Sequence, residues 1–152
     1  MAGERVLILE DDPLQQSVLA ERLRRDGLDV QTASTLAEAR VALGQWEPDA
    51  VLAALRVPGG ESVGLLRERE HCPAPVLVVM AAHASLAGAA EALRNGASDY
   101  LERPFTTDRA AATVRQALAL ADLRREAAEH RERESHAGTA VIGASPPMKR
   151  VF

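Results

Sequence analysis

Apolar residues along the chain fall into five short runs, separated by longer stretches with helical spacing. The first, VLIL at Val6–Leu9, ends abruptly in Glu10-Asp11-Asp12-Pro13. This predicts a buried strand over Arg5–Glu10 with carboxylates at its end. Asp12 as N-cap and Pro13 as first helical residue predict a helix to about Arg25, stopped by Gly27. Leu28–Ala33 reads as a second strand, and Ser34 or Thr35 caps the next helix, with Thr35 and Glu38 spaced as a capping box. Pro48-Asp49 breaks the chain before a third run, Ala50–Leu55, and Pro58-Gly59-Gly60 forms a loop after it. A short helix is expected over Glu61–Arg69, a fourth strand over Val76–Ala81, and a helix over Ser85–Asn95 ending at Gly96. Asp99–Leu101 is a short fifth strand, stopped by Pro104.

Strands alternating with helices predict βα units, a parallel sheet and right-handed crossovers. A site then lies beyond the carboxyl ends of the strands. Those ends are Glu10/Asp11, Ala54–Arg56, Ala81/Ala82 and Arg103. From Thr107 one helix is expected to about Glu134, its first half packing through Ala111, Val114, Ala117, Leu118 and Ala121. Beyond Leu123 it becomes rich in Arg, Glu and His, as a solvated linker or a coiled-coil stalk would be. His136-Ala137-Gly138 reads as a flexible joint, and Val141–Phe152 as a poorly ordered end.

Composition narrows the function classes. The 152 residues suit one domain, 47% hydrophobic and 26% charged, which is ordinary for a globular chain. Aromatics at 3% leave an aliphatic core and disfavour stacking on single-stranded nucleic acid. A net charge of −4 disfavours direct DNA contact by this segment. Cys72 has no cysteine partner, and His71, His83, His130 and His136 share no ligand spacing. Trp46 reads as packing, and Gly59-Gly60 as a turn without the spacing of a nucleotide fingerprint. No apolar run is long enough to cross a bilayer and no signal peptide is evident, so a cytoplasmic protein is expected.

The motifs LEDDP (Leu9–Pro13), LRVPGG (Leu55–Gly60) and DYLERPF (Asp99–Phe105), in this order and spacing, resemble the receiver domain of bacterial response regulators. The resemblance covers roughly Glu4 to Leu123. It implies a flavodoxin-like (CheY-like) α/β fold, a doubly wound five-stranded parallel sheet with five helices. It also implies phosphoryl transfer from a histidine kinase to an Asp at the end of the third strand, with Mg²⁺ alongside. Glu10 and Asp11 match the family's acid pair, whose hard oxygens suit Mg²⁺. Ala54, however, falls at the acceptor position, where a methyl group cannot take a phosphoryl group. Ala81 stands for the family's Ser or Thr, and Arg103 for its Lys. Tyr100 matches the aromatic that rotates between states, and Arg103-Pro104 matches a bond the family usually has as cis.

The reading is thus a receiver that does not undergo ordinary phosphorylation, with at most a weak Mg²⁺ site at Glu10 and Asp11. Arg103 is expected to pair with Glu10 or Asp11 in place of metal and phosphate. A second resemblance lies in Ala140–Phe152 (AVIGASPPMKRVF), which is similar to the entry of the ATPase domain in sigma-54-dependent activators. The domains expected are a receiver over 4–123, a helical linker over 124–138 and the start of a truncated ATPase domain over 139–152. No phosphate-binding loop is present, so the segment is expected to be non-enzymatic. The resemblance implies a homodimer through the fourth helix, fifth strand and fifth helix, here Ala87–Leu93, Tyr100 and Ala111–Leu118, together with the linker helix, and an ATPase domain of the parent chain as partner. The rival readings are a phosphoacceptor using Asp11 or Glu61, or a module binding a small ligand or protein in the vacated pocket.

Overall fold

The computed structural model describes residues 3–65, 75–82 and 86–142. Its elements are β1 (Arg5–Leu9), α1 (Pro13–Arg25), β2 (Asp29–Ala33), α2 (Leu36–Gln45), β3 (Ala50–Ala54), β4 (Arg56–Val57) and β5 (Gly60–Glu61). They continue with β6 (Val76–Ala81), α3 (Leu86–Arg94), β7 (Asp99–Glu102) and α4 (Thr107–Ile142). The main sheet is five-stranded, in the order β2-β1-β3-β6-β7, and every pairing is parallel. This is the expected flavodoxin-like order, winding outward in both directions from β1 and β3.

Burial explains the strand sequences. β1, β3 and β6 lie inside the sheet, and Val6–Leu9, Ala50–Ala54 and Val76–Ala81 are all buried. Strands covered on both faces need apolar side chains on both, so they read as continuous runs. The edge strand β2 keeps Asp29, Gln31 and Thr32 exposed and buries only Val30 and Ala33.

The helix ends follow from local chemistry. Asp12 accepts the Leu14 N–H at 3.1 Å, Pro13 opens α1, and Gly27 takes the left-handed φ of 92° after it. At α2 the Thr35 hydroxyl accepts the Glu38 N–H, while the Glu38 carboxylate accepts the Ser34 N–H at 2.6 Å. The reciprocal bond thus lands one residue earlier than in the standard capping box. α2 ends without a glycine: Glu47 takes φ 55° directly before Pro48.

Three expectations change. Pro58-Gly59-Gly60 is the turn of a small antiparallel hairpin, β4–β5, in which Arg56 faces Glu61 and Val57 faces Gly60. Glu61 therefore lies in a strand and does not begin a helix, and residues 66–69 of the helix expected over Glu61–Arg69 lie outside the described residues. The turn requires its glycines: Gly59 has φ 107°, and a Cβ there would meet Leu36 Cβ at 3.1 Å. The last helix passes Glu134 and continues helically to Ile142, through the joint expected at His136–Gly138. Ala111, Val114, Ala117, Leu118 and Ala121 are buried within the domain, as expected for the packing half of this helix. Of the expected interface segment Ala111–Leu118, only Ala112, Arg115 and Gln116 remain outside the buried set with Thr113 also enclosed.

The chain divides into two compact units, Met1–Ala121 and Asp122–Phe152. Within the first, Arg22 pairs with both Asp26 and Asp108, and Arg115 pairs with Asp26, so one ion network joins α1 to the start of α4. The second unit is helical over its described part, with an Arg125–Asp122 pair at 3.2 Å. Residues 143–152, which carry most of the ATPase-like stretch, lie outside the described residues, as do His71, Cys72 and His83.

At the amino edge of the sheet, Arg5 Nη1 donates to the Trp46 carbonyl at 2.6 Å and its guanidinium lies 5.8 Å from the indole centroid. The Arg5 N–H also donates to Asp49 Oδ2 at 2.9 Å. Asp49 therefore belongs to the edge opposite the candidate site, and Trp46 packs as expected.

Candidate functional site

Adjacent parallel strands deliver their carboxyl ends to one edge. Glu10 follows β1, Ala54 ends β3, Ala81 ends β6 and Arg103 follows β7. The register aligns them: Leu9 lies beside Ala53, Ala54 beside Met80, and Ala81 beside Glu102. The Arg103 N–H extends the ladder by donating to the Ala81 carbonyl at 2.9 Å. The residues singled out from the sequence are therefore neighbours along this edge.

The centre of the site is an ion pair. Arg103 Nη2 donates to Glu10 Oε1 at 2.5 Å. Glu10 is only 2% exposed, whereas the Arg103 side chain is 36% exposed. Glu10 Oε2 accepts the Asp12 N–H at 3.1 Å, so both carboxylate oxygens are engaged. A buried carboxylate needs such partners, because losing water without replacement costs several kcal/mol. Arg103 Nε is buried and has no acceptor among the described residues. The guanidinium is therefore held at one point and not by a bidentate fork.

Between Glu10 and Arg103 the sheet offers only methyl groups, since Ala54 and Ala81 are both buried. Asp11 is exposed and Asp12 is committed to capping α1. Of the two pairings considered for Arg103, the structure forms the one with Glu10. Glu61 lies in the hairpin, where Arg56 Nη2 stands 3.5 Å from its Oε2. Tyr100 is half-buried against the core in β7, opposite Val79. The Arg103–Pro104 bond is cis, as expected.

One participant was not singled out from the sequence. Gln16 Nε2 donates to the Glu10 carbonyl at 2.8 Å and approaches Ala33 O and Ser34 Oγ, each at 3.3 Å. It ties the turn after β1 to the end of β2. Its position one helical turn after the Asp12 cap was the available signal.

These groups do not fit a divalent cation. Mg²⁺ requires several hard oxygens in near-octahedral array, but Glu10 spends both of its oxygens on internal donors and Ala54 contributes none. Asp11 alone is a single exposed carboxylate. Among the described residues, no group of three or more His, Cys, Asp or Glu could hold a metal ion. No described helix is long and apolar enough to cross a membrane.

This sheet order and the acid-bearing carboxyl edge define a receiver-type α/β domain. Residues 6–115 match the response regulator receiver domain family, and the chain belongs to that family. It is 32% identical over 148 residues to the DNA-binding transcriptional regulator NtrC of Escherichia coli K12, covering 97% of this chain and 31% of that protein. It is also 32% identical over 158 residues to the C4-dicarboxylate transport transcriptional regulatory protein DctD of Pseudomonas aeruginosa, covering 99% and 33%. The crystal structure of NtrX from Brucella abortus superposes with a TM-score of 0.78 at 27% identity, covering 87% of this chain and 30% of that one. The chain spans about a third of the length of the curated relatives it matches.

Proposed function

We propose that this segment is a non-enzymatic regulatory receiver of a sigma-54-dependent transcription regulator, acting in the cytoplasm without phosphorylation at the family's acceptor position. The observation that carries the reading is the end of β3, where Ala54 presents a buried methyl group. An acyl phosphate forms only by attack of a carboxylate oxygen, and Ala54 has none. The Arg103–Glu10 pair supports the same reading, because it engages the acid that would otherwise stand beside the phosphoryl group.

With no phosphoryl signal at that position, regulation is assigned to dimerisation and packing against an ATPase domain in the parent chain. On the domain's own side, α3 offers Ala87, Ala90, Glu91 and Leu93 as exposed residues, beside half-buried Tyr100 on β7. Direct nucleic-acid contact is not assigned to this acidic segment.

The test is intact mass after incubation with Mg²⁺ and acetyl phosphate. The expected spectrum shows the unmodified chain. A stoichiometric, base-labile phosphoryl adduct would overturn the proposal, and mapping it to exposed Asp11 would favour a non-standard acceptor.

A further inference from the structure

We infer that the open edge of β2 is a pairing surface for a second copy of this chain, and that Arg24 holds it closed. The inference is independent of Ala54 and concerns the sheet edge farthest from β7. β2 pairs with β1, and its other side has no strand among the described residues. In a parallel strand the main-chain groups of alternate residues point to opposite sides. The Asp29 N–H donates to the Glu4 carbonyl, and the Ala33 carbonyl accepts the Glu10 N–H. Asp29, Gln31 and Ala33 therefore serve β1, and Val30 and Thr32 turn their N–H and carbonyl groups outward. A row of such groups is a template for another strand.

Arg24 closes part of that row. It reaches across from α1, and its Nη2 donates to the Val30 carbonyl at 3.0 Å. Paired antiparallel with itself about Gln31, β2 exchanges a Val30 N–H to a Thr32 carbonyl and a Thr32 N–H to a Val30 carbonyl, once in each direction. With the Val30 carbonyl taken in both copies, half of those bonds are lost. Thr32 stays reachable, because it lines an open cleft of about 490 Å³ beside α1, with Ser17, Glu21, Arg24 and Arg25. A two-fold contact brings one surface against itself, so that surface has to be self-complementary. This flank of α1 carries Glu21 together with Arg24 and Arg25, an acid and bases that match across the axis. A foreign segment of one charge matches only part of it, which favours a second copy as the occupant. Arg22 lies on the other flank, where it pairs with Asp108 of α4.

The experiment is oxidative cross-linking of the full 152-residue chain carrying Gln31→Cys on a Cys72→Ser background. In this pairing the two copies of position 31 face each other between main-chain bonds, where Cα atoms stand ~4.5 Å apart, within disulfide reach. The parent, which keeps Arg24, should give little covalent dimer. Adding Arg24→Met should raise the dimer yield at least about tenfold. Arg25→Met removes an equal charge from the same cleft without touching the Val30 bond, and should leave the yield unchanged. If Arg24→Met does not fold, Arg24→Gln carries the same test with a shorter, uncharged side chain. No gain in the variant that folds, an equal gain with Arg25→Met, or full cross-linking of the parent would overturn the inference. So would a mixed disulfide, formed in place of the dimer, with an equimolar strand peptide of unrelated sequence bearing one cysteine, because the edge would then take any strand. A dimer through α3 and β7 forms at the opposite edge and does not bring position 31 against itself. Failure of the cross-link therefore leaves the proposed function standing, and a phosphoryl adduct leaves the edge pairing standing.

Discussion

Arg103 and Glu10 meet at 2.5 Å although 93 positions separate them in the sequence. The pair closes the row of strand ends from β1 to β7, and it joins a nearly inaccessible acid to a half-open base. Breaking it should therefore cost more than a surface ion pair and less than a fully enclosed one. Arg103→Met should lower the unfolding free energy by about 2 kcal/mol. Glu10→Gln in that background should recover part of the loss, because an amide is cheaper to bury than an unpaired carboxylate. Urea unfolding of the four-member cycle measures the coupling; strictly additive losses would mean that the contact contributes nothing.

Placing an acid at position 54 should not by itself create a phosphoacceptor. Ala54→Asp places a carboxylate at a buried position beside Glu10, and repulsion between carboxylates there has no free cation to relieve it. The expected outcome with Mg²⁺ and acetyl phosphate is no adduct on Ala54→Asp and a detectable one on Ala54→Asp/Arg103→Lys. Equal labelling of both by intact mass would contradict this.

The helix caps make a separable contribution. Thr35→Ala removes the acceptor for the Glu38 N–H and should destabilise the domain by about 1 kcal/mol. Asp12→Ala should cost a similar amount at α1. Both are read by denaturant midpoint with an unchanged slope.

The ion network joining α1 to α4 should respond to salt. Asp108 is 86% exposed, so its pairing with Arg22 is open to screening. Asp108→Asn should lower the thermal midpoint at low ionic strength, and the difference from wild type should shrink as NaCl is added. The Asp108 carboxylate holds the Arg22 guanidinium above its ordinary value. A raised pKa stabilises the fold fully below the ordinary arginine range, and the contribution is lost only as pH climbs through the raised value. Arg22 therefore imposes no loss of stability near neutral pH, which a pH series of thermal melts checks.

The aliphatic core sets the largest single-residue effect. Leu52 lies in the middle of β3 with no exposed surface. Leu52→Ala should cost about 2–5 kcal/mol, because the surrounding sheet closes only part of the cavity. Calorimetry or urea unfolding measures it.

The strands and the caps at Asp12 and Thr35 were legible in the sequence because apolar runs and capping chemistry act over a few neighbouring residues. The β4–β5 hairpin was not, since strands of two residues are too short to show alternation. The end of α2 was marked by Pro48 but not by its own left-handed residue, because Glu47 carries no glycine or asparagine signature. At the site, the pattern brought forward Glu10, Ala54, Ala81 and Arg103, each at a strand end. It could not choose between Glu10 and Asp11 for the ion pair. That choice appears only in the fold, which encloses Glu10 and leaves Asp11 exposed just past the end of β1. Glu61 shows the converse: its charge made it a candidate, but its partner is Arg56, across a local turn.

The Arg5, Trp46 and Asp49 cluster sits at the amino edge of the sheet, and the chemistry-bearing side chains sit at the other. Substitutions at the carboxyl edge can therefore accumulate without loosening that anchor. The rim that anchors the sheet and the rim that carries its charged pair are thus separate, so a side chain can be exchanged at one without disturbing the other.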